Sequence, residues 1–161
     1  MNKYHNKRTV VRDLSFSLLT EGKILKIKAN GYSMYPLIKP GSVIFIEPLS
    51  DEPTLTPGEI IAWKRESGFV VHRLIRITLN GNEITYFTRG DSCARIDNPV
   101  TRDQIAGKVV RVETLNNKII EGPQLIRNPC YIINRMNVWF IIKIKRIFSL
   151  LTDPPTTLKG G

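Results

Sequence analysis

The chain has 161 residues, 42% hydrophobic and 24% charged, with a net charge of +10, which suits a single domain with a real core. The excess charge sits in the flanks: residues 1–30 and 118–161 each carry seven Lys/Arg against two acids, while residues 31–117 carry ten of each. A nucleic-acid-binding core would itself be basic, so no nucleic-acid partner is expected; basic flanks suit an anionic membrane surface or an acidic peptide.

Residues 1–8 are polar and expected to fray. Val10 to Leu19 reads as a short helix, with Thr9 as a cap and Val11, Leu14 and Leu18 near one face; Gly22 follows its end. Met1 to Asp13 has no apolar run of signal-peptide length, and no stretch reaches about 18 uninterrupted apolar residues, so neither a signal peptide nor a transmembrane helix is expected. Lys23 to Ala29 alternates as a strand. Next comes Gly31-Tyr32-Ser33-Met34-Tyr35-Pro36, in which a glycine and a ring-locked proline flank one serine on a stiff turn.

Lys39 to Ser42 is a tight turn, and Val43 to Glu47 is a strand. Residues 48–58 hold three prolines and a glycine and read as a loop. Glu59 to Lys64, Phe69 to Ile77 and Glu83 to Thr88 are strands, the last two joined by an Asn80-Gly81 hairpin. Arg89 to Val100 is a polar loop. Ile105 to Leu115 and Lys118 to Ile120 complete the sheet around an Asn116-Asn117 turn. So many short strands predict a mainly β core, a curled antiparallel sheet or partial barrel.

From Tyr131 to Leu151 the strand alternation stops, and Ile133, Met136, Phe140, Ile144, Ile147 and Leu151 recur at helical steps. The basic residues lie mostly off that stripe, while Trp139, Ile141 and Ile142 widen the apolar surface. Such a basic amphipathic helix either docks on the β core or lies on a membrane. The expected organisation is an N-terminal helix over 1–22, a catalytic domain over 23–125, the basic helix over 126–152 and a flexible tail over 153–161.

Ser33 alone reads as an ordinary turn serine, and a lone strand histidine such as His72 is commonly structural. A nucleophilic serine nevertheless needs a proton acceptor near neutral pH, and that base needs a carboxylate to orient it. His72, the only histidine in the predicted core, and the Asp91 and Asp97 of the polar loop offer both. The cysteines, Cys93 and Cys130, are far apart, with nothing to argue that they pair; with one core histidine they make no metal-ligand cluster, so no metal is expected.

The segments GYSMYPLIKPGS, EIIAWK, VVHRLI, YFTRGDSCARID and IAGKVVRV, in that order, resemble the catalytic domain of the signal peptidase I superfamily, which includes LexA-type self-cleaving repressors. The resemblance runs from about Gly22 to Val112. It implies a mostly β serine endopeptidase with no cofactor. Bacterial signal peptidases and the repressors use a lysine base, whereas the archaeal and endoplasmic-reticulum type has histidine in a His-Arg pair, as in His72-Arg73 here. On this resemblance Ser33 is the nucleophile, His72 the general base and Asp97 the third member of the triad. Asp91, six residues before Asp97, matches the supporting acid, with Arg73 and Gly90 beside these motifs. Gly31, Ser33, Met34 and Pro36 fall where oxyanion and substrate are bound. Ser92-Cys93 replaces the Asn-Asn of the histidine type, and Gly31 stands where some members carry a hydroxyl, so the oxyanion donors are expected to be backbone N–H groups. No counterpart of the amino-terminal anchor of typical signal peptidases is expected in residues 1–22.

The expected function is cleavage of a leader or signal-like peptide or precursor protein with small side chains before the cut. The expected location is cytoplasmic, peripheral at the membrane surface through residues 131–151. One alternative is a self-cleaving LexA-like regulator, for which the 30 residues before Gly31 are too few to hold a DNA-binding unit and a linker. The other is a catalytically inactive peptide-binding module of the same fold.

Overall fold

The alternating runs do form strands in the computed structural model, which describes residues 17–19, 21–50, 55–65 and 68–152. The strands are β1 (Leu25–Lys28), β2 (Val43–Pro48), β3 (Ile60–Arg65), β4 (Gly68–Asn80), β5 (Glu83–Arg89), β6 (Val100–Thr101), β7 (Ile105–Glu113) and β8 (Ile119–Glu121). They make one antiparallel sheet in the order β1-β2-β7-β3-β4-β5-β6, with β8 paired to β7. The sheet is not closed into a barrel. One helix, α1 (Tyr131–Thr152), follows it. Residues 17–19 are helical, and the rest of the helix expected over 10–19 lies outside the described residues, as does the tail from 153 onward.

The strand order explains the apolar pattern. β3 lies between β7 and β4, and its Ile60, Ile61 and Ala62 are all buried. Ile60 and Ala62 pack with Leu25, Ile44, Ile46, Val109 and Val112 on one face, while Ile61 packs with Leu74, Tyr86, Val100 and Ile105 on the other. A strand covered on both faces reads as a continuous apolar run, as Ile60-Ile61-Ala62-Trp63 does. Both predicted turns also form: Asn80 pairs with Glu83 around Gly81 at φ 61°, and Asn117 sits at φ 58° between β7 and β8.

One part differs from the expectation, and one open alternative is narrowed. The polar loop ends in β6, where Tyr86 pairs with Val100 and Thr85 with Thr101. Two residues are too few for periodicity to betray a strand. The apolar stripe of α1 does not pack on the core: Ile133, Met136, Phe140, Ile144, Ile147 and Leu151 are each more than half exposed. The helix instead meets the body through polar contacts. Asn134 Nδ2 donates to Asp91 O at 3.0 Å, Arg89 stacks 3.8 Å from the Tyr131 ring centroid, and Lys145 Nζ donates to Tyr32 Oη at 2.6 Å. Residues 126–130 lead into the helix without regular structure. No described helix is long and apolar enough to cross a membrane.

β4 changes partners along its length. Residues 68–73 pair with β3, and pairing with β5 begins only at Arg73, opposite Arg89. At that junction Arg73, 1% exposed, turns inward. Its Nε and Nη2 donate to the two oxygens of Asp91 at 2.8 and 2.7 Å, and its Nη1 donates to Gly58 O and Leu125 O, each at 2.7 Å. A buried charge pair is stable only when its hydrogen bonds are satisfied this fully, and removing one partner strands the other. Asp91→Ala is therefore expected to lower folding stability by roughly 3–5 kcal/mol. Arg73→Lys, which cannot make the forked contact, is expected not to restore wild-type stability. Denaturant midpoints measure both.

Candidate active site

Ser33 stands on a turn leaving β1. Tyr35 N donates to Tyr32 O and Ile38 N to Met34 O, each at 2.9 Å. Met34, Leu37 and Ile38 are buried in the larger core cluster, so apolar anchors close to Ser33 in sequence hold its backbone. The Tyr35–Pro36 peptide is cis. Gly31 does not take a left-handed conformation, and a Cβ there would meet nothing within 4 Å.

The loop after β5 closes over this turn. Ser92 N donates to Ser33 O at 2.9 Å, and the Ser92 hydroxyl donates to Tyr32 O at 2.6 Å and lies 3.1 Å from Ser33 O. Gly90 allows the approach. A Cβ at that position would lie 2.7 Å from Ser33 O, 3.0 Å from His72 Nε2 and 2.6 Å from Cys93 Sγ. Real Cβ atoms do not come so close to other heavy atoms, so no side chain fits here without moving the serine turn, the imidazole or the thiol.

His72 sits on the part of β4 that β5 leaves unpaired, and it is 8% exposed. Its Nδ1 lies 2.6 Å from Asp97 Oδ2. Thr88 Oγ1 donates to the same oxygen at 2.7 Å, and Asp97 N donates to Thr88 O at 2.8 Å, so the carboxylate is held on both sides. Ser33, His72 and Asp97 all line one cleft of about 500 Å3, together with Asn30, Gly31 and Met34. Pro36 is exposed outside this lining, and Asp91 lies beneath the site on Arg73. Among the described residues no three His, Cys, Asp or Glu side chains converge as metal ligands.

The pair is tuned electrostatically. Burial works against the His72 imidazolium, but hydrogen bonds to Asp97 and the Cys93 thiol, and the charges of both, outweigh it and raise the histidine to about 9. Burial works against the Asp97 carboxylate too. Hydrogen bonds from His72 and Thr88, with the charges of His72 and Arg65, overcome it and hold Asp97 below its ordinary value.

Thr88, Asn134 and the bonding role of Ser92 were not legible beforehand. Thr88 has the sequence context of any strand threonine, and Asn134 lies far along the chain on a helix. The departure of Ser92-Cys93 from Asn-Asn was the one available signal, and both residues touch the site.

The sequence model of the family described as Peptidase S24-like matches residues 3–110, a span that holds Ser33, His72, Asp91 and Asp97. Signal peptidase I W of Bacillus subtilis (strain 168) is 31% identical over 84 residues, which are 52% of this chain and 44% of that protein. The match thus spans less than half of that relative's length.

A general base works only in its neutral form. If His72 is that base, kcat/KM for peptide cleavage is expected to climb with pH towards about 9, instead of levelling off near the usual 6.5. The raised value also stabilises the fold in full below about 6.5, and this contribution is lost as pH rises through about 9. The Asp97 contribution has the opposite sense and is lost as pH falls. A pH–rate profile already flat above neutrality would contradict the assignment.

Proposed function

This chain belongs to the S24-like peptidase family, and from that premise we propose that it is a serine endopeptidase that cuts a leader or signal-like peptide, with Ser33 as nucleophile, His72 as general base and Asp97 as its orienting carboxylate. The observation that carries the reading is the His72–Asp97 contact at 2.6 Å, on the wall of a cleft that Ser33 also lines. His72 Nδ1 is engaged by the carboxylate, which leaves Nε2, on the Gly90 and Ser33 side, to exchange a proton with the serine.

In the first step His72 Nε2 takes the Ser33 proton as Oγ attacks the scissile carbonyl. Asp97 stabilises the imidazolium. The imidazolium then protonates the leaving amine, and an acyl-enzyme remains. Water, deprotonated by the same nitrogen, hydrolyses it. No backbone hydrogen bond among the described residues uses the Ser33 N–H, so it is available to the developing oxyanion. The amide of Asn30, also in the cleft lining, is the side-chain donor nearest in sequence to Gly31.

The cleft runs between two strand edges. β1 pairs only with β2, and residues 68–72 of β4 pair only with β3. Ile27 to Gly31 line one side and Phe69 to His72 the other. An extended peptide entering between them meets the outer edge of β1, where it can add as a strand, which favours a strand-like substrate over a folded one.

α1 supports a location for this activity. It carries Arg135, Lys143, Lys145 and Arg146, no acid, and large exposed apolar residues including Trp139 and Phe140. We propose that it lies on an anionic membrane surface and brings precursor peptides and the cleft to the same plane.

A fluorophosphonate that acylates serine nucleophiles should label the protein at Ser33. Ser33→Ala is expected to abolish labelling, and His72→Ala to slow it on the order of a thousand-fold or more, with circular dichroism unchanged. Equal labelling of parent and Ser33→Ala would sink the assignment. Separately, the full chain is expected to sediment with vesicles containing phosphatidylglycerol, with a blue shift of Trp139 fluorescence, and far less with neutral phosphatidylcholine. Equal partition into both, or into neither, would remove the membrane reading.

A further inference from the structure

The catalytic cleft does not end at Asp97. Asp97 and Arg65 also line a second cleft of about 640 Å3, together with Trp63, Lys64, Asn98 and Pro99. The two clefts therefore adjoin at these two side chains. Their charges are one-sided. Lys28 and Arg65 line the first and Lys64 and Arg65 the second, whereas Asp97 is the only carboxylate among the described residues that line either. Asp97 is already engaged by His72 and by Thr88 Oγ1. The charge of Lys64 acts on Asp103, outside the lining. Arg65 is the last residue of β3, opposite Gly68, and it is exposed. Its charge reaches Asp97. Among the described residues, however, no carboxylate lies within ion-pair distance of its guanidinium.

We propose that Arg65 is a specificity residue, pairing with an acidic side chain on the part of an extended substrate that runs from the catalytic cleft past Asp97 into the second cleft. The proposal deepens the peptidase reading and rests on it. An extended chain advances about 3.3 Å per residue, so a strand seated in the catalytic cleft crosses into the adjoining one within a few residues. A guanidinium presents a planar fork of donors that meets a carboxylate in two parallel, charge-assisted hydrogen bonds. A glutamine of nearly the same shape offers one uncharged acceptor oxygen instead. A substrate lysine would face Lys28, Lys64 and Arg65, and the one carboxylate there is committed to His72. Trp63 and Pro99 give the second cleft apolar surface on which the stem of a glutamate can lie. Because Arg65 is exposed, salt screens the pairing, and it contributes selectivity more than affinity.

The test measures how far alanine-rich peptides slow fluorophosphonate labelling of Ser33 in the full chain. The peptides are of equal length, capped at both ends, and carry a central Glu, Gln or Lys. The Glu peptide is expected to halve the labelling rate at a concentration on the order of fivefold lower than the Gln peptide, with the Lys peptide weakest. Arg65→Ala should remove the advantage of Glu over Gln, and Arg65→Glu should turn the preference towards Lys. Lys118→Ala, which removes one exposed positive charge between β7 and β8, should leave the advantage unchanged, and so separates local pairing from the net charge of +10. Equal protection by the Glu and Gln peptides overturns the proposal, as does an advantage that survives Arg65→Ala. A chain that the phosphonate does not label counts against the peptidase reading instead. Fluorescence anisotropy of the tagged Glu and Gln peptides, compared between the parent and Arg65→Ala, then decides this one by the same criterion.

Discussion

The fork between Arg73 and Asp91 is the constraint that the rest of the site depends on. It ties β4 to the loop after β5, and the other end of the guanidinium ties both to the carbonyls of Gly58 and Leu125. Four separated parts of the chain thus converge on one side chain that water cannot reach. Because side chains alternate along a strand, Arg73 points away from the cleft that its neighbour His72 lines. The buried fork therefore places the cleft-lining side chains: it fixes the strand bearing the imidazole and the start of the loop bearing Asp97. A surface ion pair could not do this, since water would screen it and its side chains would remain mobile.

Apolar packing does the corresponding work for the serine. Met34, Leu37 and Ile38 sink the turn into the core, and Ser92 then straps the Tyr32 and Ser33 carbonyls to the loop. Gly90 is the contact point between these two systems, because only the absence of a side chain lets the serine turn, the imidazole and the thiol approach one another. Thr88 completes the frame from β5 by holding Asp97 through both its side chain and its backbone. Each cleft side chain is positioned by a different strand or turn, through contacts that are part-buried above the fully buried Arg73–Asp91 fork.

Much of this was legible in the order of residues because the signals are local. The strand edges, the Asn80-Gly81 hairpin and the helix from Tyr131 follow from alternation, turn chemistry and helical spacing. The meeting of His72 with Asp97 came from the resemblance, since spacing alone left Asp91 and Asp97 as equal candidates. What escaped was non-local. The pairing of Val100 and Thr101 with β5, the bond from Asn134 to Asp91 O and the Thr88 contact each join distant positions, or use residue types that recur harmlessly elsewhere. Gly31 shows the converse failure. The conformational freedom of a turn glycine is not used there: its φ is not positive, and a Cβ would meet nothing within 4 Å.

The helix presents a different kind of argument. Water-soluble proteins seldom expose a long contiguous apolar surface without a use for it. On α1, apolar residues more than half exposed alternate with lysine and arginine, and none of the acids that would repel an anionic surface is present. Its tethers are not placed at random: Asn134 and Tyr131 grip the backbone of Asp91 and the side chain of Arg89, while Lys145 reaches Tyr32, next to the serine. Whatever covers the apolar face is therefore held beside the loop and the turn that build the cleft. On the proposed reading, a membrane surface in that place would confine peptide substrates to a layer beside the cleft that Ser33 lines, turning a search in three dimensions into one along a plane.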